Sequence, residues 1–177
     1  MSRSIRAGVL IALGALTLGP QAARAQKTPT TFNLAGGIGL PTGSFGDFNE
    51  SGFSLIGGLG FAAPASPIRF RAEAAYNQFN HKSPSSQSSR AGGFTGNAVY
   101  DFAMAPGATF TPYAIGGIGL YGTRDFDNSD SQWNVGWNLG GGVRFPLTGF
   151  SVYVEARYHS VSSVAVSFAP IVFGVAF

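Results

Sequence analysis

Apolar residues recur at alternate positions along most of this chain, in segments of about ten residues, the length at which a tilted strand crosses a bilayer. Phe32, Leu34, Gly36, Ile38 and Leu40 share one face against Asn33, Ala35, Gly37 and Gly39. Phe53, Leu55, Gly57, Leu59 and Phe61 follow, against Ser54, Ile56, Gly58 and Gly60. The third segment sets Ile68, Phe70, Ala72, Ala74 and Tyr76 against Arg69, Arg71, Glu73, Ala75 and Asn77. The fourth sets Phe94, Gly96, Ala98, Tyr100 and Phe102 against Thr95, Asn97, Val99 and Asp101. In the fifth, Pro112 to Tyr121, a glycine-rich middle weakens the alternation, and Tyr113, Ile115 and Tyr121 are predicted to face outward. The sixth opposes Trp133, Val135, Trp137, Leu139, Val143 and Phe145 to Asn134, Asn138 and Arg144. The seventh opposes Phe150, Val152, Val154, Ala156 and Tyr158 to Ser151, Tyr153, Glu155, Arg157 and His159.

The eighth segment carries Ala169, Ile171, Phe173, Val175 and the terminal Phe177. In water such a strand frays and aggregates, whereas in a bilayer its greasy face meets lipid and the last ring rests at the interface. An even number of strands lets an antiparallel sheet close with both termini on one side. The links at 62–67, 103–109 and 146–149 are short and rich in Pro or Gly. Those at 41–52, 80–92, 122–132 and 160–167 are mostly longer and polar, as periplasmic turns and extracellular loops are. Aromatic residues gather near the strand ends in two belts. One holds Phe32, Phe61, Phe70, Phe102, Tyr113, Phe145, Phe150 and Phe177; the other holds Phe53, Tyr76, Phe94, Tyr121, Trp133, Tyr158 and Phe168. The predicted architecture is all-β, an eight-stranded antiparallel transmembrane barrel with meander connections. A soluble lipocalin-like barrel would put its broad apolar face inside, but here the charged face is the narrow one.

The amino terminus changes the charge balance. Arg3 and Arg6 precede an apolar run from Ala7 to Leu18, and Ala23-Arg24-Ala25 has the small-x-small form of a cleavage site. Residues 1–25 therefore read as a Sec signal peptide and 26–177 as the barrel domain. The run is too short to span a core that needs about 20 residues. Loss of Arg3, Arg6 and Arg24 would leave equal numbers of basic and acidic residues, so the basic balance gives no argument for a nucleic-acid partner. With no cysteine there is neither a lipoprotein anchor nor a disulfide. Charged residues at 11% with 26 glycines and 14% aromatics disfavour helices and suit a strand-rich wall.

The mature segment resembles the small eight-stranded outer-membrane barrels of Gram-negative bacteria, the OmpA/OmpX-like barrel domain. The residues that carry the resemblance are Gly36-Gly37-Ile38-Gly39-Leu40-Pro41 with Phe45-Gly46-Asp47, the run Phe70 to Tyr76, Pro112-Tyr113 and Val175-Ala176-Phe177. It implies an outer-membrane location, contact with lipid and lipopolysaccharide, and delivery by periplasmic chaperones and the barrel-assembly machinery. It leaves activity open, because such barrels include adhesins, anchors, enzymes and pores. No domain of the peptidoglycan-binding kind is expected after Phe177.

Candidate chemistry is sparse. Arg69, Arg71, Glu73, Arg144, Glu155 and Arg157 would face a lumen wide enough only for side chains, so an ion-pair plug is expected rather than a charged conduit. The inward Gly58, Gly140 and Gly142 leave room for cavities. His159 with Ser160, Ser162 and Glu155 admits a Ser-His-acid hydrolase of the lipid A deacylase kind, and a polar rim histidine is the simpler reading. His81 lies beside Lys82 in a polar loop, and 82–90 is Ser-rich. Asp125, Asp127 and Asp130 resemble a calcium loop without its Gly and Glu, which leaves a solvated loop or weak cation bridging to lipopolysaccharide phosphate. No catalytic, metal or cofactor residue is assigned and no cofactor is expected. The leading expectation is a non-enzymatic structural or surface-contact protein of unknown extracellular ligand. Its rivals are a lipid A hydrolase and a narrow small-solute channel.

Overall fold

The computed structural model describes residues 30–62, 66–83, 88–124, 132–162 and 166–177. Alternating apolar and polar residues favour extended backbone wherever one face meets a partner of each kind. Eight strands result: β1 (Thr30–Thr42), β2 (Asn49–Ala62), β3 (Ile68–His81), β4 (Ser88–Asp101), β5 (Thr111–Arg124), β6 (Gln132–Pro146), β7 (Ser151–Val161) and β8 (Val166–Ala176). A six-residue helix, α1 (Gly43–Phe48), joins β1 to β2. Each strand pairs antiparallel with its sequence neighbour, and β8 pairs with β1, so the sheet closes and has no edge. At the seam Phe32 and Phe177 exchange backbone bonds of 2.7 and 3.0 Å, and their rings stack at 5.9 Å.

The register sets the width of the barrel. A walk across facing residues leaves β3 at Ile68 and passes Tyr100, Ala114, Gly141, Ala156, Ile171, Ile38 and Phe53. It returns to β3 at Gln78, ten residues beyond its start. With ordinary strand spacings this stagger tilts the strands by about 40° and places the backbone about 8 Å from the axis. So narrow a lumen holds side chains and little else.

The apolar stripes face outward. Leu139 is 61% exposed and Ile118 is 69% exposed, whereas the alternate residues Asn138 and Glu155 are almost wholly buried inside. Strand β5 corrects the expectation for its faces. Tyr113, Ile115 and Tyr121 point into the lumen, while Ile118 and Leu120 meet the outside. Glycine on both faces hid the alternation, and the tyrosine hydroxyls decide it, because each finds a polar partner only inside. Phe168 is likewise in the lumen rather than the belt, and Tyr113 and Tyr121 leave the belts as well.

The predicted contrast between short and long links is weakened. Pairing continues into the polar sequence at the end opposite the termini, as far as Asn80 facing Ser88, so strands occupy much of what read as loop. At the terminal end the connection 102–110 is the long one, and Gly107 lies at φ +90° within it. Residues 1–29, with the proposed signal peptide, lie outside the described residues, as do Asp125, Asp127 and Asp130.

Candidate functional site

The lumen is where this chain concentrates its chemistry. At mid-height β3 contributes Arg71 and Glu73, and β7 contributes Glu155 and Arg157, each pair spaced to point inward. Arg71 bonds Glu155 and lies 3.1 Å from Glu73; Arg157 reaches Glu73 at 2.6 Å and Glu155 at 2.8 Å. Two cations and two anions thus close a neutral ring of ion pairs. Each buried charge has an opposite partner, which offsets a desolvation cost of several kcal/mol per ion. Asn97 donates to Glu73 at 2.8 Å, Tyr113 donates to Glu155 at 2.8 Å, and Asn138 donates to Asn97 at 2.8 Å. The guanidinium of Arg71 also lies over the rings of Tyr113 and Tyr153, 5.6 and 5.4 Å from their centroids.

A second charged tier lies nearer the termini. Asp101 accepts two bonds of 2.7 Å from Arg69 and one of 3.0 Å from Arg144, which leaves one net positive charge among them. The mouth between Arg69, Arg144, Arg71 and Tyr153 has about 10 Å³ of space for water, on the order of one molecule. At the other end the lumen is aromatic. Phe79, Phe168, Tyr121, Ala91 and Val161 form a buried cluster, and Phe45 of α1 caps it edge-on to Phe79 at 5.2 Å. Among the described residues the lumen is therefore filled at three levels.

The inward glycines do not open cavities; they seat large neighbours. A Cβ on Gly142 would meet the Tyr113 hydroxyl at 2.5 Å, one on Gly140 the Arg157 Cγ at 2.7 Å, and one on Gly58 the Glu73 Cγ at 2.8 Å. The expectation of room at Gly58, Gly140 and Gly142 is corrected accordingly.

The hydrolase residues are not brought together. His159 points inward as predicted; its Nδ1 is 2.9 Å from the Tyr121 hydroxyl, its ring stacks on Phe168 at 4.9 Å, and its Nε2 has no hydrogen-bond partner among the described residues. Ser160 takes the opposite face of the strand, and Ser162 is exposed in the following turn. The Glu155 carboxylate is engaged by Arg71, Arg157 and Tyr113. His81 is not merely solvated, since its Nε2 lies 2.7 Å from the Ser89 hydroxyl across the β3–β4 ladder. Sequence reasoning missed Phe79 and Phe45 as stopper residues. The available signal was Phe79 standing at an inward position of β3, two residues beyond Asn77.

A closed eight-stranded meander with an apolar exterior and a charged interior is an outer-membrane architecture. The family model described as "Outer membrane protein beta-barrel domain" matches residues 9–177. The chain belongs to that family. Its place is the outer membrane of a Gram-negative envelope, with the apolar face against lipid. Among solved structures, Neisserial surface protein A is 18% identical, with 83% of this chain and 95% of that chain covered at a TM-score of 0.65. OprG from Pseudomonas aeruginosa is 14% identical, with 85% and 97% covered and a TM-score of 0.57. The N-terminal barrel domain of OprF from the same organism is also 14% identical, with 84% and 97% covered and a TM-score of 0.52. No curated protein sequence matches the chain.

Proposed function

We propose that this barrel is a non-enzymatic component of the outer membrane that acts in envelope integrity or surface contact through its extracellular edge. The observation that carries the reading is the filled lumen. A neutral ring of four buried ions, an aromatic stopper and a cationic mouth leave the interior to hold the wall together rather than to pass solute. The loop edge, in contrast, offers surface: Phe48 at the end of α1 is 73% exposed, with Asp47 and Glu50 exposed on either side. Lys82 holds α1 in place by donating to the Gly46 carbonyl at 2.8 Å and, from its backbone, to Phe48 at 3.0 Å.

In this reading the end that carries both termini faces the periplasm and the α1 end faces the cell surface, as in other outer-membrane barrels with an even strand number. In the same reading residues 1–25 are removed before Gln26, and periplasmic chaperones and the assembly machinery deliver the chain. The rival of another class is a lipid A hydrolase using His159. Purified folded protein incubated with lipid A should release no acyl chain above a barrel-free control. Release that disappears on His159→Ala would replace the structural reading with the enzymatic one.

A further inference from the structure

We propose that the mouth of the lumen, at the end carrying the termini, is a binding site for one small monovalent anion of the size of chloride. Arg69 and Arg144 surround Asp101 there, and the three sum to one positive charge. The ring of Arg71, Glu73, Glu155 and Arg157 deeper in the lumen is neutral by itself, so it leaves that charge unbalanced. Asp101 is fully engaged: its Oδ1 accepts from Arg69, and its Oδ2 accepts from both Arg69 and Arg144. One monovalent anion restores neutrality, which a half-buried cation favours.

The cavity behind this tier has the chemistry to receive it. Asn33, Arg69, Arg71 and Arg144 line it, and among the described residues no carboxylate does. Three donors on its lining residues are unused. Arg71 is buried, with its terminal nitrogens bonded to Glu73 and Glu155, but its Nε has no hydrogen-bond partner among the described residues. Arg144 reaches Asp101 through Nη2 alone, which leaves its Nε and Nη1. The amide nitrogen of buried Asn33 finds only the two oxygens of Thr31, at 3.4 and 3.5 Å. Buried donors without acceptors are costly, above all on a charged group, and a set of N–H groups selects an anion over a cation. Water accepts such bonds as well, but only an anion also cancels the charge. The space of about 10 Å³ suits a single-atom ion, little larger than water, and is too small for acetate, sulfate or phosphate. Entry is open, because the side chains of Arg69, Asp101 and Arg144 are partly exposed. The site lies at the end opposite α1 and is independent of the role proposed for the outer edge.

Quadrupolar broadening of the chloride NMR line, measured on folded protein in zwitterionic micelles, tests it. The line should be broader than in protein-free micelles, the excess should saturate as chloride is added, and bromide should remove it. Acetate and sulfate should displace chloride at least about tenfold less well than bromide, the ratio that one lost charge-assisted bond gives. Arg144→Gln removes the unbalanced charge, and Asn33→Asp places a tethered carboxylate in the cavity. Each should abolish the excess broadening while the protein keeps its heat-modifiable mobility, and Arg90→Gln, at the far end of the barrel, should leave it unchanged. A wild-type line no broader than that of protein-free micelles overturns the site. Displacement by acetate or sulfate as readily as by bromide overturns a single-atom ligand. Broadening that persists in folded Arg144→Gln and Asn33→Asp proteins, or that Arg90→Gln removes, overturns the location.

Discussion

Glu155→Gln is the sharpest probe of the lumen. The substitution keeps shape and removes one negative charge from a carboxylate that accepts from Arg71 and Tyr113, is ion-paired with Arg157 at 2.8 Å and is 1% exposed. The ring then holds two guanidinium groups against Glu73 alone. Removing one partner of a buried pair costs about 3–5 kcal/mol, whereas an exposed pair is worth about 0–1 kcal/mol. The difference separates a dry plug from a water-filled lumen, because solvent in the barrel would screen the orphaned cation. Urea unfolding from lipid vesicles, followed by tryptophan emission, would measure the loss. A second variant with Arg157→Met added removes one charge of each sign and should recover at least half of it. A loss for Glu155→Gln below about 1 kcal/mol, with no coupling in the double variant, would show that the ions are solvated and that the plug is wrong.

The outward face predicts that Leu139→Arg costs about 2–4 kcal/mol in the same unfolding assay, while Leu139→Phe is nearly neutral; equal behaviour would mean that Leu139 does not face lipid. Gly39→Ala should cost about 1–3 kcal/mol, because its Cβ would stand 2.9 Å from the Phe79 ring, and Phe79→Leu should relieve it. A loss that Phe79→Leu leaves untouched would put the strain elsewhere. Phe177→Asp removes the stack on Phe32 at the closing seam and should lower the heat-modifiable form in cells; wild-type levels on an unboiled gel would make that contact incidental.

Strand number, closure and the inside or outside of seven strands were legible because a two-residue period cannot be satisfied on the wrong face. Leu139 and Asn138, or Val154 and Glu155, announce their sides by polarity alone. Tyr113 and Tyr121 did not, since a tyrosine suits either a lipid boundary or a polar interior and the neighbouring glycines are neutral between them. The charged members of the plug were legible as inward residues. Their pairing was not, because Arg71 meets Glu155 across the barrel and only the stagger of the sheet sets those two at one height. The aromatic stopper was hidden for a related reason: Phe79, Phe168 and Phe45 come from three separate elements and meet only after closure. Inward glycines read as empty space in a sequence, whereas in a narrow lumen they are the seats of a neighbour's side chain.

Planar-bilayer recording of the purified, folded protein tests the closed lumen most directly. The ion ring and the aromatic stopper predict no stable conductance step in wild-type protein at moderate voltage. Reproducible steps of one size, shifted in selectivity by Glu155→Gln, would show a continuous aqueous path and contradict the reading of the barrel as a closed structural wall.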